Sequence, residues 1–156
     1  MRKTISIVIP VFNEEENLRE FYTRLTKVMS EVSYDYDIIF VDDGSRDASS
    51  AILYDLSQND EHVQAYLLSR NFGHQMALTC GLDHAEGDAV ITMDGDLQHP
   101  PELIPELLGL WEAGYEIVQT VRKDTADASK FKKITSSTYY KLINKMSKVH
   151  ITPGGS

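Results

Sequence analysis

Two aspartates one residue apart, Asp94 and Asp96, follow the apolar run Asp88-Ala89-Val90-Ile91-Thr92-Met93. A buried strand that stops on two carboxylates can hold a hard divalent cation against a diphosphate. Mg2+ and similar ions take one or two carboxylates and complete their shell with phosphate oxygens. Spacing alone is weak evidence, since 13 Asp in 156 residues make about one D-x-D expected by chance. Asp35-Tyr36-Asp37 is a second match. Position separates the two, because open α/β sheets bind ligands outside the carboxyl ends of their strands. Asp94 and Asp96 follow a strand, whereas Asp35 and Asp37 precede one and read as a turn.

Two further strand ends carry polar groups. Ile5-Ser6-Ile7-Val8-Ile9 is a β-branched run that Pro10 is expected to end, leading into Val11-Phe12-Asn13-Glu14-Glu15. Asp37-Ile38-Ile39-Phe40-Val41 runs into Asp42-Asp43-Gly44-Ser45. In a parallel sheet these ends share one edge with Asp94-Gly95-Asp96-Leu97-Gln98. Carboxylates gathered without nearby bases repel one another unless a cation or donor groups join them, and a nucleoside diphosphate with Mg2+ or Mn2+ meets that need. Plainer readings stand beside this one. Asp42-Asp43-Gly44-Ser45 also suits a turn with an N-cap, and Glu14 and Glu15 suit first-turn acids favoured by a helix dipole.

Strands alternate with helices along the chain. Leu18, Phe21, Tyr22, Leu25, Val28, Met29 and Val32 recur at helical spacing over 14–32. Helices are predicted over 48–57 and 75–85, the latter with Ala77, Leu78, Gly81, Leu82 and Ala85 on one face. Val63–Leu68 reads as a third strand. Pro100-Pro101 presets a helix carrying Leu103, Ile104, Leu107, Leu108 and Trp111, with Gly114 as its stop. Tyr115–Thr120 reads as a fifth strand and 128–147 as a long helix. The fold class is therefore α/β, a Rossmann-like, mostly parallel sheet with helices on both faces.

Apolar content of 42% and charged content of 25% suit a globular domain. No apolar run approaches membrane-spanning length, and no signal-peptide segment precedes the first strand. The single Cys80 excludes an internal disulfide and reads as a small apolar helix residue. Residues 1–127 hold all 24 acidic residues and nine of the 15 Lys and Arg. Residues 128–156 hold no acid and Lys130, Lys132, Lys133, Lys141, Lys145 and Lys148. An acidic body argues against nucleic acid as a partner. A basic end suits approach to an anionic membrane surface, although a solvated basic helix would look the same.

Val8-Ile9-Pro10-Val11-Phe12-Asn13-Glu14, Val41-Asp42-Asp43-Gly44-Ser45 and Asp94-Gly95-Asp96-Leu97-Gln98-His99-Pro100-Pro101 occur in this order. Together they resemble the family 2 glycosyltransferases of the GT-A fold. Ser69-Arg70-Asn71-Phe72-Gly73-His74-Gln75 and Val121-Arg122 narrow the likeness to enzymes that move a sugar from a nucleotide onto polyprenyl phosphate, relatives of the dolichyl-phosphate mannose synthases. The resemblance implies nucleotide contacts from Pro10, Phe12, Glu14, Asp42, Asp43, Arg70 and Asp94. It implies metal ligation by the DXD residues Asp94 and Asp96 and by Gln98, with Mg2+ or Mn2+. It places Asp94, Asp96 and Arg122 among the catalytic groups, Arg122 meeting the diphosphate or the acceptor phosphate. His74 and His99 read as hydrogen-bonding or surface loop residues rather than an acid or base, and Arg70 reads equally as a surface helix cap.

The resemblance further implies an inverting transfer from a nucleotide-sugar, a UDP-sugar first, to polyprenyl phosphate at the cytoplasmic membrane face. Homo-oligomers are compatible with it. It divides the chain into a donor-binding core, 1–127, and the start of an acceptor- and membrane-facing segment, 128–156. The acceptor half, opening with an Asp-Phe-Arg-like motif, is expected beyond Ser156, which would leave these 156 residues inactive alone. Rival readings are a family 2 enzyme with a saccharide acceptor and a donor-binding module without catalysis. A phosphohydrolase with Asp94 as nucleophile and Asp96 as acid fits Leu97 poorly and leaves the Pro10 and Asp43 clusters unexplained.

Overall fold

A computed structural model describes residues 2–98 and 100–120. The chain divides into two units, Met1–Leu108 and Gly109–Ser156. The first unit is built on a four-stranded parallel sheet. Its strands are β1 (Thr4–Val11), β2 (Asp35–Asp42), β3 (Val63–Leu67) and β4 (Ala89–Thr92), in the spatial order β3-β2-β1-β4. Helices α1 (Leu18–Glu31), α2 (Ser49–Asn59) and α3 (His74–His84) make the crossovers. Right-handed crossovers put α1 and α2 on one face and send α3 to the other, because the strand order reverses after β3. The reversal lies between β1 and β4, where doubly wound sheets open their ligand crevice.

The two faces follow from the period of two. Val8, Ile39 and Val41 are fully buried and pack with Ala77 of α3. Gly81 is the contact point of that helix: a Cβ there would lie 2.3 Å from Val8 Cγ1. The alternate residues Ile7, Ile9, Ile38 and Phe40 are equally buried, as are Leu18, Phe21, Leu25 and Met29 along the inner stripe of α1. Strands buried on both faces account for the near-continuous apolar runs in the sequence.

Three boundaries differ from the sequence expectation. Pro10 does not end β1 but pairs with Val41 inside it. The Val8 carbonyl accepts the Met93 N–H on the β4 side. Pro10 presents that same side two residues on, beyond Thr92, the last residue of β4, so its missing N–H forfeits no ladder bond. Asp35 and Asp37 lie within the first residues of β2 rather than in a turn before it. The fifth strand over 115–120 is absent: these described residues have no regular structure, and Ile117 is 88% exposed.

A 3-10 turn, Pro101–Leu103, leads into α4 (Ile104–Glu112), as the two prolines predicted. Arg24 of α1 holds the turn with a bidentate pair to Glu102, at 2.9 and 2.8 Å. In the second unit α4 stops at Gly114, whose φ of +98° and N–H bond to the Trp111 carbonyl make the expected glycine stop. The expected basic helix over 128–147 lies outside the described residues.

Candidate active site

The carboxyl ends of β1, β2 and β4 meet on one edge, and the loops after β1 and β2 are stitched together by side-chain hydrogen bonds. Asn13 sits in the left-handed region at φ +56°, a conformation Asn tolerates better than most residues. Its N–H donates to Ser45 Oγ at 2.9 Å, and its Oδ1 accepts the Arg46 N–H at 2.9 Å. The Glu14 N–H donates to Ser49 Oγ at 2.9 Å. The Glu15 N–H donates to Asp47 Oδ2, while Glu15 Oε2 accepts the Ala48 N–H at 2.7 Å. Thus Glu15, read as a first-turn acid of α1, instead caps the start of α2 from the neighbouring loop. Each bond is worth about 1 kcal/mol net, so the two loops behave as one body. Glu14 lies before α1, and its Oε2 accepts from Asn17 Nδ2 at 2.8 Å.

Asp42 and Asp43 are almost fully buried. Buried carboxylates require donors, and here the protein supplies them. Asp42 Oδ1 takes the Ser45 N–H and hydroxyl, and Oδ2 takes the Ser50 hydroxyl. Asp43 Oδ1 accepts the Phe72 N–H at 2.7 Å, and Oδ2 accepts the Gly73 N–H at 2.9 Å. Asp43 therefore clasps the segment before α3 onto the end of β2. Gly44 makes the contact possible: at φ +68°, a Cβ on it would stand 2.4 Å from the Arg70 carbonyl carbon. Repulsion within this pair of carboxylates is relieved by protein donors before any cation arrives.

Asp47 also helps to join the loops. Burial pushes its carboxyl up, but the Ser49 hydroxyl and the N–H groups of Ser49, Glu15 and its own backbone outweigh this and hold it below the usual range. The same segment 70–73 carries Arg70, whose guanidinium carbon stands 4.7 Å from the centre of the Phe72 ring. Phe12 and Phe72 are both partly exposed beside these loops, at 42% and 45%.

After β4 the chain turns sharply under β1. Gly95 is buried, and its missing Cβ would sit 3.4 Å from Ile9 Cγ2. Leu97 adopts φ +61°, a left-handed conformation costly for a branched residue. Asp96 Oδ1 accepts the Gln98 N–H at 3.0 Å. Asp94 Oδ1 stands 3.0 Å from Nε2 of His74. That histidine, expected in a loop, is the first residue of α3. Arg122 and His99 lie outside the described residues.

Among the described residues no group of three or more His, Cys, Asp and Glu forms a metal cage. Asp94 and Asp96 are instead two carboxylates on one short, partly exposed turn. Each carboxylate offers about four acceptor sites, so the hydrogen bonds already described leave capacity at Asp96. That oxygen set fits Mg2+ or Mn2+ sharing its shell with phosphate.

Comparison with known proteins identifies the family and the fold. The family model described as Glycosyl transferase family 2 matches residues 6–155. A prophage bactoprenol glucosyl transferase homolog of Escherichia coli (strain K12) is 44% identical over 143 residues, 92% of this chain and 47% of that protein. An uncharacterized glycosyltransferase of Bacillus subtilis (strain 168) is 45% identical over 146 residues, 94% of this chain and 45% of that protein. The chain thus spans less than half the length of these curated relatives. Among solved structures, a mannosyltransferase from Pyrobaculum calidifontis in complex with GDP-Man and Mn2+ aligns with a TM-score of 0.62 at 19% identity. It covers 81% of this chain and 37% of that one. TarS 1–349 of S. aureus in complex with UDP-GlcNAc aligns with a TM-score of 0.57 at 18% identity, over 78% of this chain and 39% of that one. These likenesses show the fold, which is the GT-A fold. From residue 6 to residue 155, through the loops just described, the chain belongs to glycosyl transferase family 2.

Proposed function

We propose that this chain is the donor-binding half of a metal-dependent, inverting glycosyltransferase that moves a sugar from a nucleotide-sugar, UDP-linked first, to polyprenyl phosphate at the cytoplasmic membrane face. The observation that carries the proposal is the meeting of Pro10–Glu14, Asp42–Ser45 and Asp94–Gln98 at the β1/β4 switch point. The relatives named bactoprenol glucosyl transferase support the acceptor. In this reading Phe12, Glu14, Asp43 and Arg70 border the nucleoside, and Asp94, Asp96 and Gln98 hold Mg2+ or Mn2+ against the diphosphate. A bound cation there would offset charge developing on the departing nucleoside diphosphate. Arg122 is assigned to the same charge or to the acceptor phosphate. A phosphate oxygen is already anionic, so attack on the anomeric carbon needs little general-base help. Residues 128–156 are assigned to the membrane-facing side, and acceptor groups to the additional length the relatives have.

The test is calorimetry of UDP and GDP with Mn2+, with Mg2+ and with chelator. Binding is expected only with metal. Asp96→Ala is expected to weaken it tenfold or more, about 1.4 kcal/mol. Asp35→Ala is expected to bind as the parent does, since Asp35 lies at the opposite end of β2 beside Arg2. Equal affinity in chelator, or no effect of Asp96→Ala, overturns the metal assignment. Sugar transfer to polyprenyl phosphate, measured on the chain at its relatives' full length, tests the acceptor. Transfer to a saccharide alone would favour polysaccharide synthesis instead.

A further inference from the structure

We infer that His74 is a positioning residue for Asp94, holding the first carboxylate of the strand-end pair in place through its Nε2–H. Asp94 is partly exposed and flanks Gly95, the residue on which the chain turns under β1. Asp94 stands two residues beyond the end of β4, and α3 brings a ring nitrogen to it. His74 Nε2 lies 3.0 Å from Asp94 Oδ1. An ionised carboxylate only accepts, so Nε2 is the protonated nitrogen. The brace is itself anchored. Gly73 opens α3 at φ +98°, and its N–H and that of Phe72 are gripped by Asp43. Gly44 admits the Arg70–Asn71 backbone against the end of β2. A continuous path therefore runs from Asp43 through 72–74 to Asp94, tying the end of β2 to the end of β4. Such a path presets the spacing between the groups proposed to meet the two ends of the donor. Preset ligands lose less freedom on binding.

The nucleotide arm of the test rests on the functional reading above; a second arm does not. His74→Phe keeps a ring without the donor, and His74→Gln restores an N–H donor of similar reach. His74→Phe is expected to weaken Mn2+-dependent UDP binding about tenfold, the cost of a hydrogen bond to a charged group. His74→Gln is expected to stay within about twofold of the parent. On an Asp94→Ala background His74→Phe is expected to add less than about twofold, since nothing remains to position. Parent-like binding by His74→Phe, or equal losses in His74→Phe and His74→Gln, overturns the inference. The ligand-free arm is 15N NMR of the imidazoles, with His74 assigned among the five histidines by its absence in His74→Gln. Its Nε2 resonance is expected to shift in Asp94→Ala, and an unchanged resonance overturns the inference too. If the parent binds no nucleotide, the functional reading falls while this arm still decides the role of His74.

Discussion

The acidic side chains of the strand ends behave as their neighbours dictate, whatever motif they belong to. Asp37 and Asp94 both belong to matches of one spacing pattern, yet they sit at opposite ends of the sheet. Asp37 pairs across the sheet with Ser6, whose hydroxyl donates to it at 2.9 Å and accepts the Gly87 N–H. Burial raises its carboxyl above the ordinary range, the Ser6 bond pulls back, and Glu86 adds repulsion. A raised folded pKa means that the native state holds the proton more tightly than the unfolded chain. The contribution of Asp37 to stability is therefore greatest below the ordinary carboxylate range and declines as pH rises through the raised value. Asp37→Asn removes that penalty and can still accept from Ser6. It is expected to melt above the parent at pH 7, with the gap closing at acidic pH. Thermal melts of both proteins across that range check it, and a gap that widens on acidification would contradict the assignment.

At the scale of elements, glycine decides how closely they approach. Gly44 lets the 70–71 backbone cross the end of β2, and Gly81 lets α3 lie on Val8. A Cβ added to Gly109, inside α4, would meet nothing within 4 Å. One substitution should therefore have opposite signs at two sites. Gly44→Ala meets backbone at 2.4 Å and a left-handed φ, and is expected to cost about 2 kcal/mol or more, lowering Tm by about 4–8 °C. Gly109→Ala is expected to gain about 0.5–1 kcal/mol from helix propensity. Calorimetric melts of the two variants distinguish these outcomes. A neutral Gly44→Ala would mean that the β2–α3 clasp yields easily, and the path from Asp43 to Asp94 would lose its stiffness.

For the molecule as a whole, charge is distributed unevenly along the sequence, with acids confined to 1–127 and six Lys in 128–156. Among the described residues no helix is long and apolar enough to cross a membrane. On the functional reading above, the basic segment supplies surface attraction, roughly 1 kcal/mol per Lys near an anionic leaflet. Such attraction fades within a Debye length of about 8 Å at physiological salt. Flotation with anionic vesicles is expected at low salt and lost at high salt. It is expected to weaken when Lys130, Lys132, Lys133, Lys141, Lys145 and Lys148 are changed to Gln in the whole chain. Flotation equal to the parent in that variant would leave the segment as an ordinary solvated face.

Period and punctuation alone determined that this chain is a parallel α/β domain. Val8, Ile39 and Val41 had to be buried whatever their partners, and the polar clusters had to fall where apolar runs stop. The failures have a common physical cause. Pro10 was read as a strand end, but whether a missing N–H matters depends on which neighbouring strand lies on that side and how far it reaches. The strand expected over 115–120 carries Ile117, Val118 and Thr120, but β-branched residues stabilise only a paired, half-buried surface, and Ile117 is exposed. Glu15 as the cap of α2, Asp43 as a clasp and His74 as the brace of Asp94 join residues about 20 to 33 positions apart. Local periodicity does not register such distances. A parallel sheet puts the strand ends on one edge, but which ends are neighbours depends on the strand order β3-β2-β1-β4, and that order is decided by how the crossovers pack.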